Sequence, residues 1–176
     1  PQPFWVVDPD RFRDLFATNV TGYFLLARAV APTMVQAGKG KIVNVSVSEN
    51  TTRRAGFTPY GPSRAATDAL SHVMAADLAG SGVTVNLLAP GGATATGMIP
   101  DETGDNIRAG LLAPAVMGPQ IRRLACDGAD GCTDGRITAT DSAAGIRPAA
   151  EPHDTATPPG QTRTPPPEAG HEDGRS

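Results

Sequence analysis

Tyr60 and Arg64 lie four positions apart, and Ser46 and Ser48 precede the tyrosine by fourteen and twelve residues. If a helix begins near Tyr60, positions i and i+4 share one face. A phenol and a guanidinium so placed can reach one common ligand. A neighbouring cation favours a phenolate over a phenol. That makes a tyrosine usable as a proton donor and acceptor.

The segments around these residues have the patterns needed to hold them. Lys41 to Val47 is a short β-branched run, suited to a central parallel strand buried on both faces. Glu49 to Pro59 is polar and reads as a loop above the C-terminal end of that strand. Pro62 is tolerable only in a first helical turn. It therefore places the start of the next helix near Tyr60, and Gly80-Ser-Gly82 ends it. Ala65, Ala66, Ala69, Leu70, Val73, Met74, Ala76 and Leu78 give this helix a wide apolar face. Val83 to Leu88 reads as a second buried strand, followed by a Pro90-Gly91-Gly92 turn.

Upstream, Asp8 is an N-cap and Pro9 a first helical residue. Phe12, Leu15, Phe16, Val20, Phe24, Leu25 and Ala29 then recur at helical spacing. One long helix to about Gln36 is expected, with a kink near Pro32. Downstream, Asp101 to Ala109 reads as a polar loop or weak helix. Pro114 to Ala125 reads as a helix and Arg136 to Thr140 as a short last strand. Helix and strand in alternation, joined by short glycine turns, define an α/β class with a partial doubly wound parallel sheet.

Composition limits how much of the chain folds. Gly (20) and Pro (17) make up about a fifth of the 176 residues, above ordinary usage. From Asp141 to Ser176 there is one Ile and no Leu, Val, Phe, Trp or Tyr. Such a segment cannot bury enough apolar surface to offset its ordering entropy. Residues 1–140 are therefore expected to fold, and residues 141–176 to form a disordered Pro/Ala/Thr-rich tail. The net charge of −3 and the lack of a basic run speak against nucleic acid. No apolar run has membrane-spanning length. Cys126 and Cys132 form no Cys-x-x-Cys and have no His at ligand spacing, so no metal site is proposed and a reducing cytoplasm fits.

Taken together, the motifs resemble the short-chain dehydrogenases/reductases. Tyr60-Gly-Pro-Ser-Arg64 resembles that family's Tyr-x-x-x-Lys, with arginine where the family has lysine. Ala17-Thr-Asn-Val-Thr-Gly-Tyr-Phe24 is similar to its asparagine-bearing helix. Gly40-Lys-Ile-Val-Asn-Val-Ser46 is similar to its serine-bearing strand. Val83-Thr-Val-Asn-Leu-Leu-Ala-Pro-Gly-Gly92 is similar to the next strand and its Pro-Gly turn. The resemblance runs from about Phe4 to Ile137 in the family's order.

The resemblance implies a Rossmann-like fold and an NAD- or NADP-dependent oxidoreductase acting on a small alcohol or ketone. By it, Tyr60 is the acid/base, and Arg64 holds the nicotinamide ribose beside it. Ser48, with Ser46 as the rival, hydrogen-bonds the substrate oxygen. Asn19 steadies a relay beneath the cation. Pro90, Gly91, Gly92, Ala93 and Thr94 touch the nicotinamide end, with Thr96 the alternative threonine. Asn86 reads as a structural strand residue and His72 as a surface or interface residue.

The family's Thr-Gly-x-x-x-Gly-x-Gly turn does not occur in this sequence. The chain is therefore expected to be the C-terminal part of a reductase domain, with the pyrophosphate site in the other part. The alternative is an inactive reductase remnant retaining only the oligomerisation helices. A homo-oligomer is expected if the chain folds, because the family's corresponding helices often build a dimer interface.

Overall fold

The structure is a computed structural model, and it describes residues 1–141. Apart from Asp141, the tail expected at 141–176 lies outside the described residues. Asp8 starts the first helix as its residue type requires. Its carboxylate accepts from the Asp10 amide at 2.9 Å, and Pro9 occupies the first turn. The helical run to Gln36 is not a single α-helix, however. It consists of α1 (Pro9–Phe16), one π turn (Ala17–Thr21) and α2 (Gly22–Gln36). Pro32 sits inside α2, which continues to Gln36. There follow β1 (Gly40–Val45), α3 (Glu49–Thr52), α4 (Tyr60–Asp77), β2 (Val83–Ala89), α5 (Asp105–Arg108), α6 (Gly118–Ala125) and β3 (Arg136–Thr138).

The three strands form an open parallel sheet in the order β1-β2-β3. Val45 pairs with Leu88, and Leu88 pairs with Ile137. The burial expected on both faces of the strand at 41–47 belongs instead to β2, all of whose residues are buried. β1 is half-buried and its Val45 is 43% exposed, because among the described residues only β2 pairs with it. Helices nevertheless cover both faces of the sheet. Asn44 and Ser46 reach α4 through Ser71 and Asp68. On the opposite face, Val43, Leu88 and Ile137 pack against Leu124 of α6. Side-chain alternation along a strand produces this division, and helices on both faces are the mark of a doubly wound sheet.

The helix α4 buries a different stripe from the one its apolar residues suggest. Its buried residues are Gly61, Ser63, Thr67, Ser71 and Ala75, while Val73 is 57% exposed. Ser71 donates its hydroxyl to the carbonyl four residues back at 2.8 Å, and Thr67 shares its one hydroxyl proton between the Ser63 carbonyl at 3.0 Å and the Asn19 carbonyl at 2.9 Å. Small hydroxyl residues that satisfy themselves on their own helix allow close approach without leaving a polar group unpaired. Hydrophobicity counting misses such a stripe.

The expected loop at 49–59 contains the single turn α3, too short to carry a periodic signal. The last strand ends at Thr138, two residues earlier than expected. Asn86 is structural: its side chain donates to the Cys132 carbonyl at 2.7 Å and accepts from the Gly135 amide at 3.0 Å. His72 is exposed and pairs through Nδ1 with Asp134.

The start of β1 is tied to the turn after α6 by Lys39–Asp127 at 2.7 Å and Lys41–Asp130 at 2.5 Å. The hydrogen bond and charge of Asp127 raise Lys39 above its ordinary 10.5, and Lys39 in turn lowers Asp127 below 3.8. Because the Lys39–Asp127 pair is exposed, water screens it and it adds little to stability.

Gly82, between α4 and β2, has φ +79, and a Cβ there would stand 2.0 Å from the Gly38 carbonyl oxygen. The conformation is one that L-residues avoid, and the obstacle is backbone. Gly82→Ala should therefore destabilise the fold by at least about 2 kcal/mol. Urea denaturation would show this as a lowered midpoint, and an unchanged midpoint would refute it.

Candidate active site

Tyr60 is the first residue of α4, with buried Pro59 as its N-cap. Arg64, one turn on, turns back over it, so that its guanidinium carbon lies 5.5 Å from the Tyr60 ring centroid. The same carbon lies 5.7 Å from the ring centroid of Tyr23, on α2. The cation is held between two aromatic faces, a favourable arrangement for a guanidinium.

The guanidinium is also hydrogen-bonded. Nη1 donates to the Tyr23 hydroxyl at 3.1 Å and to the Val45 carbonyl at 3.4 Å, and Nη2 donates to Asn19 Oδ1 at 3.5 Å. Tyr23 donates its hydroxyl to the same Val45 carbonyl at 3.2 Å. Ser46 donates its amide to Leu88 at 2.9 Å, so strand alternation turns the Val45 carbonyl toward the open edge of β1. Arg64 and Tyr23 thus supply donors that a neighbouring strand would otherwise provide. Arg64 Nε is buried and has no hydrogen-bond partner among the described residues.

Asn19 sits in the π turn. The widened turn exposes its backbone carbonyl to α4, where Thr67 donates to it at 2.9 Å. Its side chain donates to Ser63 Oγ at 3.0 Å. The half-buried asparagine therefore has partners for both its side-chain amide and its carbonyl. Asn19, Tyr60 and Arg64 line one open cleft of ≈ 350 Å³ with Arg11, Asp14, Leu15, Thr18 and Met98. The Tyr60 hydroxyl has no hydrogen-bond partner among the described residues.

The two serines occupy different environments. Ser48 is exposed at the N-cap of α3, where its hydroxyl pairs with that of Thr51 at 2.9 Å. Ser46 is buried, 1% exposed, and donates to Asp68. The loop expected to touch the nicotinamide begins at half-buried Pro90; Gly91, Gly92 and Ala93 are exposed and Thr94 is half-buried. Leu112 pairs with it, donating to the Ala93 carbonyl at 2.8 Å and accepting from the Ala95 amide at 2.9 Å. At Gly91, with φ +95, a Cβ would stand 2.1 Å from Thr140 Oγ1. Packing against Thr140 therefore already demands this glycine, before any ligand is considered. Thr94 Oγ1 donates back to the Gly92 carbonyl at 3.3 Å.

Residues 1–106 match the family described as short chain dehydrogenase. The chain belongs to that family. Among relatives of this short-chain dehydrogenase, nodulation protein G of Azospirillum brasilense is 35% identical over 88 residues. That match covers 50% of this chain and 36% of the relative. Gluconate 5-dehydrogenase of Gluconobacter oxydans is 40% identical over 78 residues, covering 44% and 30%. A solved gluconate 5-dehydrogenase of Burkholderia cenocepacia, in complex with NADP and tartrate, has a TM-score of 0.69 at 25% identity. The match covers 78% of this chain and 57% of that one. The matches with these two relatives thus span about a third of each relative's length, and the match with the solved chain spans just over half of it.

The residues present fit one end of a dinucleotide. Tyr60 offers an unpartnered hydroxyl on the cleft. Arg64 has five N–H donors, three of them engaged by the protein and one buried as Nε. A ribose could take the remaining Nη2 donor. The short-chain dehydrogenase glycine turn, which would meet the pyrophosphate, does not occur in this sequence. Among the described residues no group of three or more His, Cys, Asp or Glu could hold a metal, and no helix is long and apolar enough to cross a membrane.

Three contributors, Tyr23, Arg11 and Met98, are not among the residues that the sequence singles out. Tyr23 lies four residues after Asn19, the same spacing that drew attention to Tyr60 and Arg64. Arg11 and Met98 carried no signal, because only folding brings them to the cleft.

Proposed function

We propose that residues 1–140 are the catalytic part of a cytoplasmic, homo-oligomeric oxidoreductase that interconverts a small alcohol and its ketone with NAD or NADP. The observation that carries this reading is the Tyr60 hydroxyl, unpartnered on the cleft with the Arg64 cation over its ring. When bound, the nicotinamide supplies or accepts the hydride. Tyr60 takes the alcohol proton during oxidation and returns it during reduction. Arg64 keeps positive charge over that ring and has one donor left for the ribose. Ser48, exposed at the N-cap of α3, donates to the substrate oxygen. Asn19 positions Arg64 through its Oδ1. Pro90, Gly91, Gly92, Ala93 and Thr94 border the nicotinamide end.

A second reading is an inactive remnant kept for association. The inward engagement of Arg64 favours it, as does the exposed row of Phe24, Leu25 and Leu26 on α2.

Calorimetric titration separates the two readings. The 176-residue chain alone should bind NAD or NADP no tighter than about millimolar, since helix-terminus phosphate binding is missing. Joined to the glycine-rich half of a gluconate 5-dehydrogenase, it should bind in about the micromolar range and oxidise alcohols. Micromolar binding by the chain alone would overturn the assignment of the pyrophosphate site to another segment. Tight binding by the joined protein without turnover would select the remnant.

A further inference from the structure

We propose that Asp68 and Arg136 form a positioning clamp that fixes the end of β1, and with it Ser48, relative to the helix that carries Tyr60. The inference rests on the roles given above to Ser48 and Tyr60.

Asp68 lies on α4 one turn beyond Arg64 and two beyond Tyr60, on the same side of the helix. Its Oδ2 accepts from Arg136 Nη1 at 2.7 Å, and its Oδ1 accepts from the buried Ser46 hydroxyl. Arg136 belongs to β3, which is separated from β1 by the whole width of β2. Its Nη2 crosses to β1, donating to Ser46 Oγ at 3.4 Å and to the Val47 carbonyl. The side chains of Asp68 and Arg136 are 14% and 28% exposed.

The location distinguishes this pair from an ordinary ion pair. The amide of Ser46, bonded to Leu88, is the last β1 group in the ladder, and the chain leaves the sheet immediately afterwards. The Val47 carbonyl is bonded through the arginine fork, and Ser48 is the next residue. A single planar fork thus ties α4, the departing strand and β3 at the point where the substrate-binding hydroxyl is presented. Arginine suits this task because its donors are rigidly spaced. Ser46 donates to Asp68 and accepts from Arg136, so both its hydrogen-bonding capacities are used. The serine closer to the sheet therefore serves to hold the more distant one.

The test has two arms. The first is hydrogen exchange on the 176-residue chain with Arg136→Met, and with Asp68→Asn and Arg136→Gln combined. The double variant removes both charges, so that neither is left unpaired. Exchange at the amides of Ser46 and Thr51, bonded to the Leu88 and Ser48 carbonyls, should quicken at least about tenfold while residues 85–88 keep their protection. Uniform loss of protection, or none, overturns the clamp. The second arm measures turnover of the same variants in the chain joined to a glycine-rich half. There kcat should fall about tenfold with cofactor KM unchanged, and Asp68→Glu should retain most of the parent rate. Unchanged kcat despite quickened local exchange makes the pair merely structural and also overturns the proposal. If the parent joined protein shows no turnover, the functional reading fails instead, and the exchange arm alone decides whether the clamp exists.

Discussion

Tyr60→Phe should abolish turnover, lowering kcat by about a hundred- to ten-thousandfold, the range general acid–base groups contribute. That is roughly 3–5 kcal/mol of barrier. The substitution removes one oxygen and keeps the ring on which Arg64 rests, 5.5 Å from its centroid. Because the hydroxyl has no hydrogen-bond partner among the described residues, the fold should not notice its loss. The expected result is therefore a dead enzyme with the parent melting temperature and the parent cofactor affinity. Tyr23→Phe is the matched control. Its hydroxyl bonds Arg64 and Val45 rather than lying free on the cleft, so it should slow turnover by less. The measurement is alcohol oxidation followed by nicotinamide absorbance, in the chain joined to a glycine-rich half. Turnover that survives Tyr60→Phe would remove the chemistry from this motif.

Arg64 should give the second large effect, and only one of its two replacements should lower turnover. Arg64→Met removes the charge beside Tyr60 and the remaining donor for the ribose. Turnover should fall by about a hundredfold, a barrier increase of roughly 3 kcal/mol. Stability should change little, because an apolar side chain of similar volume can replace a partly buried cation at no net cost. Arg64→Lys keeps the charge as a compact ammonium and eliminates the Nε–H that is now buried without a partner. An unsatisfied buried donor costs about 1–3 kcal/mol, so the lysine variant should be more stable. Its turnover should equal the parent's or exceed it by up to about tenfold. Turnover of Arg64→Met at the parent level would show that the cation between Tyr23 and Tyr60 serves the open edge of β1 and not the reaction.

Local pattern was enough for much of this protein. The Asp8 cap, the Pro9 and Pro62 helix starts and the parallel strands around Val43 and Val85 all follow from residue type and short-range spacing. So does the Tyr60–Arg64 pair, since i and i+4 meet on any helix. The family resemblance rested on those same short motifs, and the match over residues 1–106 bears it out.

Decisions between distant segments lay outside the reach of pattern. Which strand is doubly buried depends on neighbours, and β2 has two while β1 has one among the described residues. Which face of α4 is buried depends on how closely the π turn and the sheet approach it. That approach selects Ser63, Thr67 and Ser71 over the more hydrophobic Val73. The π turn holds the Asn19 carbonyl within reach of Thr67, 48 positions away. Ser46 and Ser48 are equivalent by type and nearly so by spacing. They are separated only because Asp68 and Arg136, from a helix and a strand remote in sequence, converge on the first and leave the second exposed. Periodicity records what one element needs, and tertiary packing decides which of those needs its neighbours satisfy.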